Sequence, residues 1–103
     1  MATKTFAGKS IEVNDEGYLI SMEDWNQDVA KELAQEEGIE LTESHFQILE
    51  FIRNKVSNGE TLTIRSVGKS GIIDIKQFYS LFPGGPLKKS SKIAGIAKPS
   101  SCV

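Results

Sequence analysis

One sulfur nucleophile is available. The chain has a single cysteine, Cys102, next to last among 103 residues. A lone thiol closes no internal disulfide and builds no metal site without other ligands. The only histidine, His45, lies far away in sequence. Structural zinc, iron–sulfur clusters and a Cys–His catalytic pair are therefore not expected, and no metal or cofactor is implied. Sulfur transfer, by contrast, suits such an atom. It needs a thiolate that can enter another protein and leave again, and a sulfur that no neighbouring thiol can trap. Residues 97–103 have almost nothing to bury, so a mobile C-terminal arm is expected. Seven extended residues span roughly 20 Å at about 3.3 Å each. Pro99 stiffens the arm, and Ser100 and Ser101 fit a narrow channel. A free thiol titrates near ~8.5, so little of it is thiolate at neutral pH. Lys98 favours ionisation and the terminal carboxylate of Val103 opposes it. The free arm is then a mediocre nucleophile, and a partner's pocket would supply the positive field. The bland alternative is an incidental surface cysteine near a frayed end. A prenylation signal is excluded, because that cysteine stands fourth from the end.

Other residues with chemical character read as structural. His45 sits near a helix start and suits capping or packing. Trp25, Phe46 and Phe51 suit a core more than a ligand platform. Gly68-Lys69-Ser70-Gly71 contains a Gly-Lys-Ser triplet but lacks the earlier glycine and the preceding strand of a phosphate loop. It reads as a turn between helices.

The elements that must carry the thiol follow from patterning. Residues 4–6 and 10–13 read as a small hairpin across Ala7-Gly8-Lys9. Asn14-Asp15-Glu16-Gly17 is a turn, with residues 18–20 returning as a short strand. Ser21 reads as a helix N-cap with Asp24 as its reciprocal partner, followed by Trp25, Val29, Ala30 and Leu33 at helical spacing and a stop at Gly38. Thr42 reads as the next N-cap. Phe46, Leu49, Ile52, Arg53 and Val56 form the stripe of that helix, with Ile48 and Phe51 flanking it, and Asn58-Gly59 ends it. Shorter helices are expected over 64–69 and 75–81, the latter sending Phe78, Tyr79 and Leu81 inward. Pro83-Gly84-Gly85-Pro86 is the main break. A short helix over 87–95 follows, with Ile93 and Ala94 inward. The expected fold is mostly α (α+β): a small N-terminal β-hairpin, then a compact bundle of four to five short helices with a helix-turn-helix-like element and a flexible C-terminal arm. It is one domain overall, divided into a body over 1–83 and an arm over 84–103 that carries the thiol.

Composition is that of an ordinary globular chain, 39% hydrophobic and 25% charged. No apolar run approaches the ~20 residues that span a bilayer, and residues 1–6 lack the apolar core of a signal peptide, so a cytoplasmic location and no membrane partner are expected. The net charge of −2 is unevenly spread. Residues 1–83 hold all 14 acidic residues, whereas 84–103 hold Lys88, Lys89, Lys92 and Lys98 and no acid. Such an arm favours an acidic partner surface or simply stays solvated.

Leu81-Phe82-Pro83-Gly84-Gly85-Pro86, the run from Lys92 through Gly95 to Pro99, and the closing Cys102-Val103 together resemble the DsrC/TusE family. Glu16-Gly17-Tyr18-Leu19, Asp24-Trp25 and Leu41-Thr42-Glu43-Ser44-His45-Phe46 extend the likeness over nearly the whole chain. The family includes the gamma subunit of dissimilatory sulfite reductase and a sulfur-relay protein of tRNA thiolation. The resemblance implies that Cys102 carries sulfur as a persulfide, and that Lys92, Gly95, Lys98 and Pro99 serve the arm and its docking. Members that work with sulfite reductase have a second cysteine eleven residues earlier, and Ser91 stands there. This chain can therefore form neither an internal disulfide nor a trisulfide bridge, which resembles the single-cysteine relay branch. The short segment 66–77 resembles the sulfite-reducer form instead, and Ala97 replaces a usual proline.

Three functions follow as expectations. The first is a sulfur carrier, a sulfurtransferase by class rather than an independent catalyst, with sulfur donor and acceptor proteins as partners. The second is a non-catalytic gamma subunit docking on dissimilatory sulfite reductase. The third is a DNA-binding regulator that uses Arg65, Lys69 and Lys76 of residues 64–82. The pI near 5.4 argues against nucleic acid as a partner.

Overall fold

The computed structural model describes residues 2–97; Lys98, Pro99 and Cys102 lie outside the described residues. Two antiparallel strands, β1 (Ala2–Phe6) and β2 (Lys9–Val13), pair from Ala2 opposite Val13 to Phe6 opposite Lys9. Ala7 and Gly8 have φ of 51° and 78°, the left-handed pair that a tight two-residue hairpin turn demands. Alternation along β2 sends Ile11 and Val13 into the core. Asn14 Oδ1 accepts from the amides of Glu16 and Tyr18 and holds the next turn. The expected third strand reduces to a single bridge between Val13 and Leu19.

Five helices follow: α1 (Gln27–Glu36), α2 (Glu43–Ser57), α3 (Ile64–Gly68), α4 (Ile75–Leu81) and α5 (Pro86–Ile93). The start of α1 differs from expectation. Ser21 precedes only a 3₁₀ turn, Met22–Asp24, and its side chain makes no capping bond. Asn26 is the cap of α1, its Oδ1 accepting from Val29 N–H at 2.9 Å. Trp25 therefore stands before the helix rather than on its face. Thr42 does begin α2, and His45 at the third helical position accepts the Thr42 N–H at Nδ1. The proton then resides on Nε2, which faces Leu81 O at 2.9 Å and ties the start of α2 to the end of α4. Along α2 the fully buried positions are Ile48, Leu49 and Ile52, while Phe46 and Phe51 are only partly covered. Asp74 and Gln77 cap α4 reciprocally. Phe78 enters the core, but Tyr79 is 46% exposed. One turn of helix cannot bury both neighbours.

The Pro/Gly turn at 83–86 does not end the packed body. Pro86 opens α5 at its first turn, where its missing N–H is no loss. Leu87, Ile93, Ala94 and Ile96 are all buried, and α5 packs against α1, α2 and α4. Among the described residues no helix is long and apolar enough to cross a membrane, and no cluster of acidic, histidine or cysteine side chains suits a metal ion.

Candidate functional site

The described chain stops at Ala97, so the site accessible to description is the root from which the thiol-bearing residues depart. It is the C-terminal end of α5. Gly95, with φ +69°, donates to Lys92 O at 3.2 Å, and Ile96 donates to Ser91 O at 3.1 Å. This pair of bonds is the Schellman stop, which needs a left-handed residue after the helix. Gly95 is required a second time by contact. A Cβ there would lie 2.5 Å from Cδ1 of Trp25 and 2.9 Å from its Cβ and Cγ.

The last carbonyls of a helix have no partner within it and carry its negative dipole end. Here two of them are met by side chains. Trp25 Nε1 donates to Ile93 O at 2.7 Å, and an Arg53 guanidinium nitrogen donates to Ala94 O at 2.7 Å. The second guanidinium nitrogen of Arg53 donates to Met22 O at 3.0 Å. Its carbon lies 4.3 Å from the Trp25 ring centroid, a cation–π contact. Burial lowers the pKa of Arg53, but arginine remains charged at physiological pH. The tail root is thus held by a cation from α2 and an indole from the segment before α1.

Lys92 and Ser91 occupy the same turn. Lys92 Nζ lies 3.8 Å from Glu37 Oε2 at the end of α1. Its stem covers Gly17, where an added Cβ would stand 2.9 Å from Cε of Lys92. Lys88, Lys89 and Lys92 line a groove of about 210 Å³ beside Glu16 and Glu37. Tyr18 Oη donates to Lys88 O at 3.3 Å and fastens the turn onto α5. Ser91 is fully buried, and its Oγ has no hydrogen-bond partner among the described residues. Of the residues singled out in the sequence, the structure brings together Lys92, Gly95 and Ser91; Cys102, Lys98 and Pro99 lie outside the described residues.

Sequence reasoning assigned Trp25 to a helix face and Arg53 to an apolar stripe. Both belong to the root instead. A guanidinium within the stripe 46, 49, 52, 53, 56 was the available signal, since a buried cation needs acceptors.

Comparison with known proteins covers the whole chain. A family model described as "DsrC like protein" matches residues 5–103. The gamma subunit of dissimilatory-type sulfite reductase from Nitratidesulfovibrio vulgaris is 35% identical over 105 residues, spanning all of both chains. Sulfurtransferase TusE from Buchnera aphidicola subsp. Schizaphis graminum is 39% identical and covers 92% of this chain and 90% of its own. A crystal structure of dissimilatory sulfite reductase I superposes with a TM-score of 0.86 at 35% identity, over 99% of this chain and 100% of that one. The solution structure of DsrC from Allochromatium vinosum follows at 0.82 and 36%, over 98% of this chain and 97% of that one. With a full-length family match, a shared fold and these identities, the chain belongs to the DsrC family.

Proposed function

We propose that this protein is a sulfur carrier and that Cys102 is the atom that carries. The supporting observation is the family match that runs through residue 103 and so includes the single cysteine. The Cys102 thiolate attacks the outer sulfur of a donor persulfide. The donor's S–S bond breaks, the donor leaves as a thiolate, and Cys102 holds the sulfur as a persulfide. An acceptor thiolate then attacks that outer sulfur and Cys102 leaves as a thiolate. Each step is an exchange, so no external oxidant or reductant is consumed. With serine at position 91 no internal thiol can intercept the persulfide, and release depends on the acceptor. Lys98 and Pro99 would shape the reach and ionisation of the arm, and Lys92 would brace its base. The partners are sulfur-relay proteins or a sulfite reductase, acting in the cytoplasm.

Incubation with a polysulfide donor should add about 32 Da to Cys102. Absence of the adduct, or an undiminished adduct in Cys102→Ser, removes the proposal.

A second reading is favoured by the N. vulgaris match, which spans the full length of both chains. The protein would then dock on a dissimilatory sulfite reductase as a non-catalytic subunit. Co-purification with such a reductase supports it, and Cys102→Ser that binds as well as the native chain would place docking in the body. A DNA-binding role has no support: the relatives described above are named for sulfur chemistry, and the net charge is −2.

A further inference from the structure

Four large apolar side chains are exposed among the described residues, Ile20, Ile72, Ile75 and Tyr79, and three of them fall within eight positions at the junction of α3 and α4. Phe78 is the fully buried side chain of α4, whereas Ile75 and Tyr79, four residues apart, share one outer stripe. Ile75 rests on Gly68, where an added Cβ would stand 2.6 Å from its Cγ1, so glycine at 68 lets the two helices close beneath it. Beside this ridge runs a groove of about 510 Å³, lined by Phe51 and Asn54 of α2 and by Gly71 and Ile72, with Glu50 on its α2 wall. The charge along the ridge has the opposite sign. Arg65 and Lys69 on α3 and its C-cap and Lys76 on α4 are exposed, and none of the three pairs with a carboxylate among the described residues. The carboxylate of Asp74, the only acid in residues 61–103, is engaged in capping α4.

We propose that this ridge and groove are the docking surface for an acidic amphipathic helix of a protein partner, an inference that rests on the carrier reading for the partner's role but not for the surface itself. The partner's apolar stripe covers Ile72, Ile75 and Tyr79 and enters the groove against Phe51, while acids along one edge meet Arg65, Lys69 and Lys76. Glu50 on the other wall keeps acid from the second edge. Other occupants fit less well. A second copy on a two-fold axis would set the three cations against their own counterparts. A lipid surface fills no concave groove, and its anionic headgroups would face Glu50. Nucleic acid would leave the isoleucines unmatched, since its affinity rests on phosphate contacts.

Nuclear magnetic resonance titration of the isotope-labelled full chain with two synthetic peptides tests the surface. Both are helical, of about 18 residues, with Leu at i, i+3, i+4 and i+7; one carries Glu along a single edge and the other Lys in its place. The acidic peptide should move the amides of residues 71–80 and of Phe51, and should bind at least about fivefold more tightly than the basic one. The net charge of −2 biases unspecific attraction the other way. Ile75→Ser with Tyr79→Ser should weaken the acidic peptide at least about fivefold. Should that variant fail to fold, Lys69→Glu with Lys76→Glu decides, because it should reverse the preference between the peptides. Preference of the native chain for the basic peptide, no binding of either, or shifts centred on Lys88 and Lys89 overturns the proposal. So does self-association of the chain, or co-sedimentation with phosphatidylglycerol vesicles, that Ile75→Ser with Tyr79→Ser abolishes: the face would then belong to a second copy or to a membrane. Sulfur loading is read separately. A small polysulfide needs no docking, so the native chain and the Ile75→Ser, Tyr79→Ser variant should gain the same mass of about 32 Da. Failure of the native chain to load would sink the carrier reading while the titration still judged the surface.

Discussion

Ser91 stands on α5 one turn before the helix stop, fully buried, with a hydroxyl that finds no partner among the described residues. A buried unpaired hydroxyl carries a desolvation penalty of about 1–3 kcal/mol. Ser91→Ala should therefore stabilise the fold by about 1 kcal/mol, seen as a rise of roughly 4 °C or more in Tm by thermal unfolding. An unchanged or lowered Tm would mean that the hydroxyl has found a partner. Its burial also bears on sulfur chemistry. Position 91 is where sulfite-reducer members of the family resemblance place a second cysteine, and here the site lies inside the body rather than on its surface. His45 makes the opposite case. Its two ring nitrogens face Thr42 N–H and Leu81 O, and its ring meets Phe82 edge-on at 5.1 Å between centroids. His45→Ala removes the partner of the part-buried Leu81 carbonyl and empties a buried ring site, and should cost about 2–4 kcal/mol by urea unfolding.

Among the elements, helix ends do the positioning. Asn26, rather than Ser21, begins α1, and Asn26→Ala should lose about 1 kcal/mol of stability by chemical denaturation. A loss below a few tenths would show that tertiary packing alone holds the first turn. The sequence reading placed the cap at Ser21, and local spacing did not single out Asn26. What decides is Trp25. Its indole reaches Ile93 O, 68 residues away, and this holds the backbone at 25 extended. By contrast Thr42 and Asn58-Gly59 were legible, because a cap is a local arrangement with a residue signature. The break at 83–86 was legible as a turn but not as part of the body. Pro and Gly report where the chain bends, not whether the next helix packs.

At the scale of the whole molecule, charge is sorted along the chain. Residues 1–60 hold 13 of the 14 acidic residues, and residues 61–103 hold one acid, Asp74, against seven basic residues. The carboxylate of Asp74 is engaged in capping α4. Helix α4 adjoins both α3 and α5, so the base-rich helices are neighbours, and Lys88 and Lys89 of α5 line a groove together with Glu16 and Glu37. Affinity for a sulfur-accepting protein partner should then fall several-fold between about 0.1 M and 1 M salt, as the screening length shrinks from about 10 Å to about 3 Å. Lys88→Glu with Lys89→Glu should weaken binding in titration calorimetry and flatten the salt dependence. A salt-independent affinity would put recognition in apolar contacts such as those open to Ile75 and Tyr79, which are exposed.

By itself the sequence determined the hairpin, the order of the helices and the family, together with a single terminal thiol that no internal partner can trap. These are local or compositional properties: turn residues, caps, apolar spacing and a cysteine count are written in neighbouring positions. Only the tertiary structure decided that α5 belongs to the body rather than to the arm, that Ser91 is sealed, and that Arg53 and Trp25 grip the tail root. Each of those depends on segments that meet across 41 to 70 residues of chain. Contacts of that span leave no periodic trace, because what selects the residue is a carbonyl delivered by packing rather than a neighbour in sequence.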